Sequence, residues 1–162
     1  MLNRIFPRTI DNNFRGYRTA LWLFGFYAFV KMAQGFESLF NSAETAVRAD
    51  GIPLQSFGAA AAQTAVAMFA LLGLNLLVLP LLGVLALIRY RAMIPFIYLM
   101  MLILNLSSRA VLYAHPSPRI GGVQPIGFYV NLGLLAVLVL GFALSLVDRP
   151  ASLARPAEER SR

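Results

Sequence analysis

Four long apolar blocks dominate the pattern of hydrophobic and polar positions along this chain. They cover residues 17–42, 58–88, 92–113 and 127–147, and each is long enough for the roughly 20 helical residues that cross a bilayer. The pattern predicts an all-α fold, an integral membrane four-helix bundle. A basic interfacial segment (1–16) precedes the four-helix domain, and a disordered basic cytoplasmic tail (148–162) follows it.

Turn signals separate the blocks. Residues 43–57 are mixed in polarity and contain Gly51-Ile52-Pro53, so we expect a loop with one short helical turn. Arg89-Tyr90-Arg91 leaves room only for a tight turn, which makes the second and third spans an antiparallel hairpin. Pro80 lies inside the second span and predicts a kink, because proline lacks the amide hydrogen of the helix ladder.

Composition and charge add an orientation. The chain is 59% hydrophobic and 13% charged, whereas a soluble domain is about 25% charged. The arginines before the first span, between the second and third, and after the fourth are Arg4, Arg8, Arg15, Arg18, Arg89, Arg91, Arg149, Arg155, Arg160 and Arg162. The other side has Arg48, Arg109 and Arg119. Because cytoplasmic loops are enriched in basic residues, we expect both termini in the cytoplasm of a multi-pass bacterial inner-membrane protein.

Several chemistries are excluded at this stage. The chain has no cysteine, which removes disulfides, thiolate catalysis and CxxC redox chemistry. His115 is the only histidine, and the sequence patterns of serine hydrolases, zinc peptidases, P-loops and dinucleotide-binding folds are missing. We therefore expect no enzyme activity, catalytic residue, metal or cofactor. Nucleic-acid binding is also not expected, because no basic face is interleaved with exposed aromatic residues.

The first span contains the strongest local signal, a polar stripe at helical spacing. Its members are Lys31, Gln34, Glu37, Ser38 and Asn41, which occupy one arc of the helix at about 100° per residue. Lys31 is the only lysine in the chain. Because a charge deep in a membrane is costly, Lys31 is expected to face the bundle interior or a wet cavity. A snorkelling position nearer the interface is the alternative.

The other spans place polar residues at similar depths. Gln63, Asn105, Ser108, Arg109 and Asn131 fall in the outer third of their spans, and Asn75 falls nearer the midplane. The candidate ligand or ion residues are therefore Lys31, Gln34, Glu37, Asn41, Gln63, Asn75, Asn105, Arg109 and Asn131. We expect a polar cluster in the outer half above an apolar inner half, with an ion pair between Glu37 and Arg109 as a hypothesis.

Two interpretations of this cluster stay open. Interhelical polar contacts commonly hold small bundles together, so the residues could be structural. Alternatively, they form a site for a ligand, a proton or an ion. In the fourth span, Gly133 and Gly141, with Ser145, form a small-residue face that predicts close helix contact or a partner surface.

Three short segments resemble the DoxX-like group of small bacterial four-helix membrane proteins. They are Phe29-Val30-Lys31, Gly51-Ile52-Pro53 and Leu87-Ile88-Arg89, within residues 20–110. The resemblance implies a four-helix fold rather than a particular function. The acidic residue expected early in the second span is absent, with Gln63 nearby instead.

The functional expectation follows from small size, short loops and missing catalytic motifs. We expect an accessory or structural subunit of a larger membrane complex, partnered by the lipid bilayer and by a membrane protein or a second copy. The alternative is a transporter, channel or small-ligand-binding protomer that uses the polar cluster.

Overall fold

The computed structural model describes residues 5–7, 9–116 and 119–147, and this part of the chain forms helices and turns without a strand. The α-helices in order are α1 (Arg18–Phe40), α2 (Ser42–Arg48), α3 (Ala59–Arg89), α4 (Ile94–Ala114) and α5 (Ile126–Leu146), with 3-10 turns at Leu54–Ser56, Arg91–Met93 and Ile120–Gly122. The all-α prediction is confirmed for these residues. The tail predicted over 148–162 lies outside them.

Three segments are long and apolar enough to cross a membrane: Ala59–Arg89, Arg91–Ala114 and Ile126–Leu146. They indicate a membrane protein, as the sequence predicted. Helix α1 has 23 residues, which is about 34 Å at 1.5 Å per residue. It is more polar, because Arg18, Lys31 and Glu37 all lie on it.

The first predicted block, expected as one continuous span to residue 42, is divided into two helices. Asn41 has φ −118° and ψ 41°, outside the helical region, so α1 ends at Phe40 and α2 begins at Ser42. The short helical turn expected in the following loop is this seven-residue helix. In the second block, α3 continues through the buried Pro80, and the kink expected there stays a prediction.

A packed apolar core occupies the end of the bundle where Tyr90 joins α3 to α4, here called the hairpin end. Its buried residues come from all four long helices: Ala20, Phe24, Tyr27, Ala28, Ala86, Ile94, Ile97, Tyr98, Met101, Leu102, Leu134 and Leu138. The Tyr98 hydroxyl donates to the Ala20 carbonyl at 2.7 Å, and its ring meets Phe24 edge-on at 5.1 Å between centroids. A buried hydroxyl on an apolar ring thus joins α4 to α1.

Two glycines let α1 and α3 approach closely. A Cβ atom at Gly73 would lie 2.5 Å from the backbone nitrogen of Leu39 and 2.8 Å from the Gly35 carbonyl oxygen. Small residues at such crossings allow backbone-to-backbone packing between membrane helices. This crossing holds α1 against α3 at a position farther from Tyr90 than the apolar core.

The N-terminal segment closes the hairpin end. The backbone amide of Ala92 donates to the Asp11 carbonyl at 3.2 Å, and that of Tyr17 donates to the Leu144 carbonyl at 3.2 Å. The described part of this segment therefore lies against the bundle, where the sequence predicted only an interfacial position.

The opposite end, which carries α2 and the two longer loops, is called the cap end, and there the helices separate. All buried residues of α4 lie between Ile94 and Leu102, and those of α5 begin at Leu134. Helices α3 and α4 make few contacts although a tight turn joins them. The bundle is therefore closed at the hairpin end and open at the cap end.

Candidate functional site

A cavity of about 1520 Å³ lies between the separated halves of the helices at the cap end. Four long helices form its wall, and α2 and the loops around Asp50 and Arg119 lie over it. The predicted candidates that line it are Lys31, Gln34, Glu37, Asn75, Asn105, Arg109 and Asn131. The structure thus brings seven residues from four helices to one space, above the apolar core.

Lys31 lies in the inner part of this cavity, one helical turn beyond Tyr27. The residue is only 7% exposed, so its side chain points toward the neighbouring helices, and its depth relative to the membrane interface stays a prediction. The ammonium Nζ donates to Gln34 Oε1 at 3.0 Å and to Asn131 Oδ1 at 2.6 Å. Both acceptors are neutral amides, so the positive charge has hydrogen bonds without a bonded counter-charge.

A second polar contact joins α4 to α1 at the base of the cavity. The Asn105 side-chain amide donates to the Tyr27 hydroxyl at 2.8 Å and to the Met101 carbonyl at 3.2 Å. The Tyr27 ring lies 5.9 Å from the Lys31 ammonium, within range of a cation–π attraction. These contacts give the cavity floor a fixed polar arrangement.

The hypothetical Glu37–Arg109 ion pair is not formed in the described part of the chain. Instead, Glu37 Oε2 accepts a hydrogen bond from Asn41 Nδ2 at 3.1 Å. The Arg109 guanidinium lies 5.4 Å from the centre of the Phe128 ring on α5. Both residues line the same cavity, but each contacts a different partner.

Two of the predicted residues do not line the cavity. Asn41 lies beyond the end of α1 and bonds Glu37 at the rim. Gln63 is exposed on α3, nine residues before Leu72, where the cavity wall of that helix begins. Helix α3 has 31 residues, and Gln63 lies near its start, outside the part of the helix that lines the cavity.

Asn75 lines the cavity, and part of its hydrogen-bonding capacity is used within α3. Its side-chain amide donates to the Leu71 carbonyl at 2.9 Å, four residues earlier. Its side-chain oxygen and its second N–H donor are the groups that Asn75 can offer to the cavity.

The cap over the cavity was not predicted from the sequence. The backbone amide of Ile120 donates to the Gly51 carbonyl at 2.8 Å, and that of Gly127 donates to the Ala49 carbonyl at 3.0 Å. Gly51 has φ +67°, a left-handed conformation that glycine adopts readily. The Gly-x-Pro signal marked this turn, but nothing local indicated that Gly51 bonds Ile120, 69 residues away.

Asp50 and Arg119 bring opposite charges to this cap. Burial raises the pKa of the Asp50 carboxyl, and the positive charges of Arg119 and Lys31 partly oppose that rise. The Arg119 guanidinium also donates to Gln124 Oε1 at 2.7 Å. At the outer rim, Arg48 and Glu44 form an exposed ion pair at 2.9 Å.

The cavity wall is partly polar and partly apolar. Among the described residues, no group of three histidine, aspartate or glutamate side chains is placed to hold a metal ion. The wall combines amides and charged groups with leucines of α3 and α4. Concave sites of this composition suit a molecule with one polar and one apolar part.

Small residues of α5 divide between two faces, contrary to the single face that the sequence predicted. Gly141 and Ser145 are buried, and a Cβ atom at Gly141 would collide with Tyr98. At Gly133 a Cβ atom would meet open space. Only the first two residues therefore pack inside the bundle.

No protein-family model, curated protein or solved structure matches the chain. The resemblance to the DoxX-like group stays a prediction based on its three short segments.

Proposed function

We propose that this chain is a four-span membrane protein that binds a small amphipathic molecule in the cavity at the cap end. Helix α1 is the fourth span in this proposal, and both termini are cytoplasmic, so the cavity faces the outer half of a bacterial inner membrane. The arginine distribution supports the orientation, because most basic residues fall at the hairpin end or in the terminal segments.

The arrangement of α1 supports its role as a span. Lys31 points inward, whereas Trp22 and Phe29 are 82% and 72% exposed on the outside of the bundle. A helix whose charge faces its neighbours and whose aromatic side chains face outward is compatible with hydrocarbon.

The observation that best supports binding is the buried ammonium of Lys31 on the cavity wall. A charged side chain at membrane depth costs roughly 2.5–3.5 kcal/mol on insertion scales, and such residues often mark ligand or ion pathways. The two amides that hold Lys31 fix the position of its charge within a space large enough for a small molecule. The packed core separates this space from the hairpin end, which favours binding over conduction.

Two neighbouring serines of α4 provide a matched test. Ser108 lines the cavity, whereas Ser107 is exposed on another face of the same helix. Ser108→Trp should fill the cavity, and Ser107→Trp should leave it open. In native mass spectrometry after mild-detergent purification, we expect a small-molecule adduct on wild type and Ser107→Trp that Ser108→Trp lacks. Identical adducts on the two variants, or no adduct on the wild type, would contradict the proposal.

An accessory subunit is the second candidate, and the outward face of α5 favours it. Gly133, Ala136 and Ala143 are exposed there at helical spacing, and small residues permit close approach of another membrane helix. Gly133→Leu and Ala136→Leu should then release a co-purifying membrane protein while leaving the small-molecule adduct unchanged. Migration of the wild type as a lone chain would exclude this candidate.

A further inference from the structure

We propose that the ligand is an anionic amphiphile, with a carboxylate or similar oxygen anion at Lys31 and a hydrocarbon chain directed to the lipid between α3 and α4. This inference rests on the binding function proposed above and names the class of ligand. It concerns how charge is distributed along the cavity and where its apolar wall opens.

The first step is the hydrogen-bonding capacity of the Lys31 ammonium. An ammonium has three N–H donors, and Gln34 and Asn131 accept two hydrogen bonds from it. The third donor matches an oxygen acceptor on a ligand in the cavity. An anionic oxygen suits this position best, because the two existing acceptors are neutral and the charge is buried.

The second step is the order of charges with depth. Glu37 lies six residues beyond Lys31 on α1, about 9 Å farther along the helix axis. Asp50 and Glu44 belong to the cap and rim. The cap and rim carry both signs, with Arg119 near Asp50 and Arg48 paired with Glu44, whereas Lys31 at the floor is bonded by neutral amides. This order places the anionic end of a ligand deep in the cavity.

The third step is the relation between two cations. Arg109 on α4 and Lys31 on α1 line the same cavity, and their charges repel each other. A negative group bound at Lys31 would lower this repulsion. The charged groups facing Lys31 from the other elements are Arg109 and Asp50, so an anion adds to the partial compensation that Asp50 supplies.

The fourth step is the apolar wall. Leu72, Leu76 and Leu79 on α3 and Leu104 and Leu112 on α4 line the cavity. No residue of α4 beyond Leu102 is buried, and α3 and α4 contact each other little. The separation leaves a lateral slot lined by leucines. A hydrocarbon chain fits such a slot, whereas a small hydrophilic anion needs no apolar wall.

A series of twelve-carbon probes tests the charge and the chain separately. The full-length protein in nanodiscs of zwitterionic lipid is titrated with dodecanoate, dodecanol, dodecyltrimethylammonium and acetate. Binding is read by competition with radiolabelled dodecanoate. We expect dodecanoate to bind at least about tenfold more tightly than each of the other three probes, as for a buried charge pair.

The outcomes separate this inference from the proposed function. Preferential binding of dodecyltrimethylammonium or dodecanol, with loss on Ser108→Trp, would keep the binding function and overturn the anionic class. Binding of acetate as tight as that of dodecanoate would overturn the requirement for a hydrocarbon chain on the ligand. Binding of no probe to the wild type would overturn the anionic class and leave the adduct measurement on the Ser107→Trp and Ser108→Trp pair to decide the binding function.

A charge-matched pair of variants locates the anion. Lys31→Met removes the cation at the floor, and Arg89→Gln removes one at the hairpin end, where Arg89 is exposed. Dodecanoate affinity should fall at least about tenfold in the first variant and stay unchanged in the second. Equal affinities would contradict a site at Lys31. The wild-type probe series does not depend on how well Lys31→Met folds.

Discussion

The ammonium of Lys31 on α1 donates a 2.6 Å hydrogen bond to the side-chain oxygen of Asn131 on α5. The two residues are 100 positions apart in the chain, and the bond joins the first and last long helices at the cavity floor. It lies just beyond the packed apolar core. The same contact therefore holds the bundle together and fixes the charge that we propose a ligand uses.

Removing the Asn131 acceptor should destabilise the bundle. Asn131→Leu leaves the buried ammonium with Gln34 as its acceptor, and an unsatisfied buried polar group costs about 1–3 kcal/mol, more if charged. Lys31→Met combined with Asn131→Leu should recover much of this loss, because both partners become apolar. Unfolding free energies of the wild type, the two single variants and the double variant are measured in mixed detergent. If the losses of the two single variants simply add in the double variant, Lys31 and Asn131 are not directly coupled.

Gly73→Ala should destabilise the crossing of α1 and α3. The added Cβ would lie 2.5 Å from the backbone nitrogen of Leu39, and overpacking of this kind costs typically about 1–3 kcal/mol. Gly133→Ala is the matched control, since its Cβ meets open space and alanine favours helix by up to about 1 kcal/mol. Melting temperatures should shift in opposite directions. Equal shifts would show that the close approach at Gly73 is wrong.

Asp50→Asn should change how stability depends on pH. Burial raises the pKa of Asp50, so the folded protein binds this proton more tightly than the unfolded chain does. The resulting stabilisation is complete below the unfolded pKa and is lost as pH rises through the folded pKa. Asn cannot titrate, so the stability of the variant relative to wild type should rise as pH rises above 3.8, the ordinary pKa of an aspartate.

Melting temperatures of the wild type and Asp50→Asn across that pH range make the measurement. Arg119→Gln is the companion variant, because the Arg119 charge opposes the rise in the Asp50 pKa. It should shift the wild-type transition to higher pH. A melting temperature of Asp50→Asn minus that of wild type that falls as pH rises would contradict this account.

Hydrophobic patterning predicted the helices well, because long apolar blocks and proline-bearing turns are local signals. The inward orientation of Lys31 also followed from the sequence, since a charge in a membrane span is expected to face the other helices or a wet cavity rather than lipid. The break at Asn41 was missed because a polar residue at the end of an apolar block does not show where the backbone leaves the helix.

The errors at the site concern quantities that the sequence does not contain. Gln63 does not line the cavity, because tertiary packing decides which part of the 31-residue α3 faces the other helices. Glu37 and Arg109 share a cavity, but Glu37 accepts a hydrogen bond from Asn41 and Arg109 lies against the Phe128 ring. The cap formed by Gly51 and Ile120 arises from a long-range backbone bond, and neither segment alone indicates the other.

A pair of single-cysteine variants tests the central claim, a wet cavity open to the outer side. Because the chain has no cysteine, Ser108→Cys and Ser107→Cys each introduce one thiol, and thiol reagents require the thiolate that water supports. A membrane-impermeant methanethiosulfonate reagent is added to the outside of intact spheroplasts. The account predicts rapid labelling of Ser108→Cys and little labelling of Ser107→Cys. Equal labelling of the two, or labelling of Ser108→Cys only from the cytoplasmic side, would contradict it.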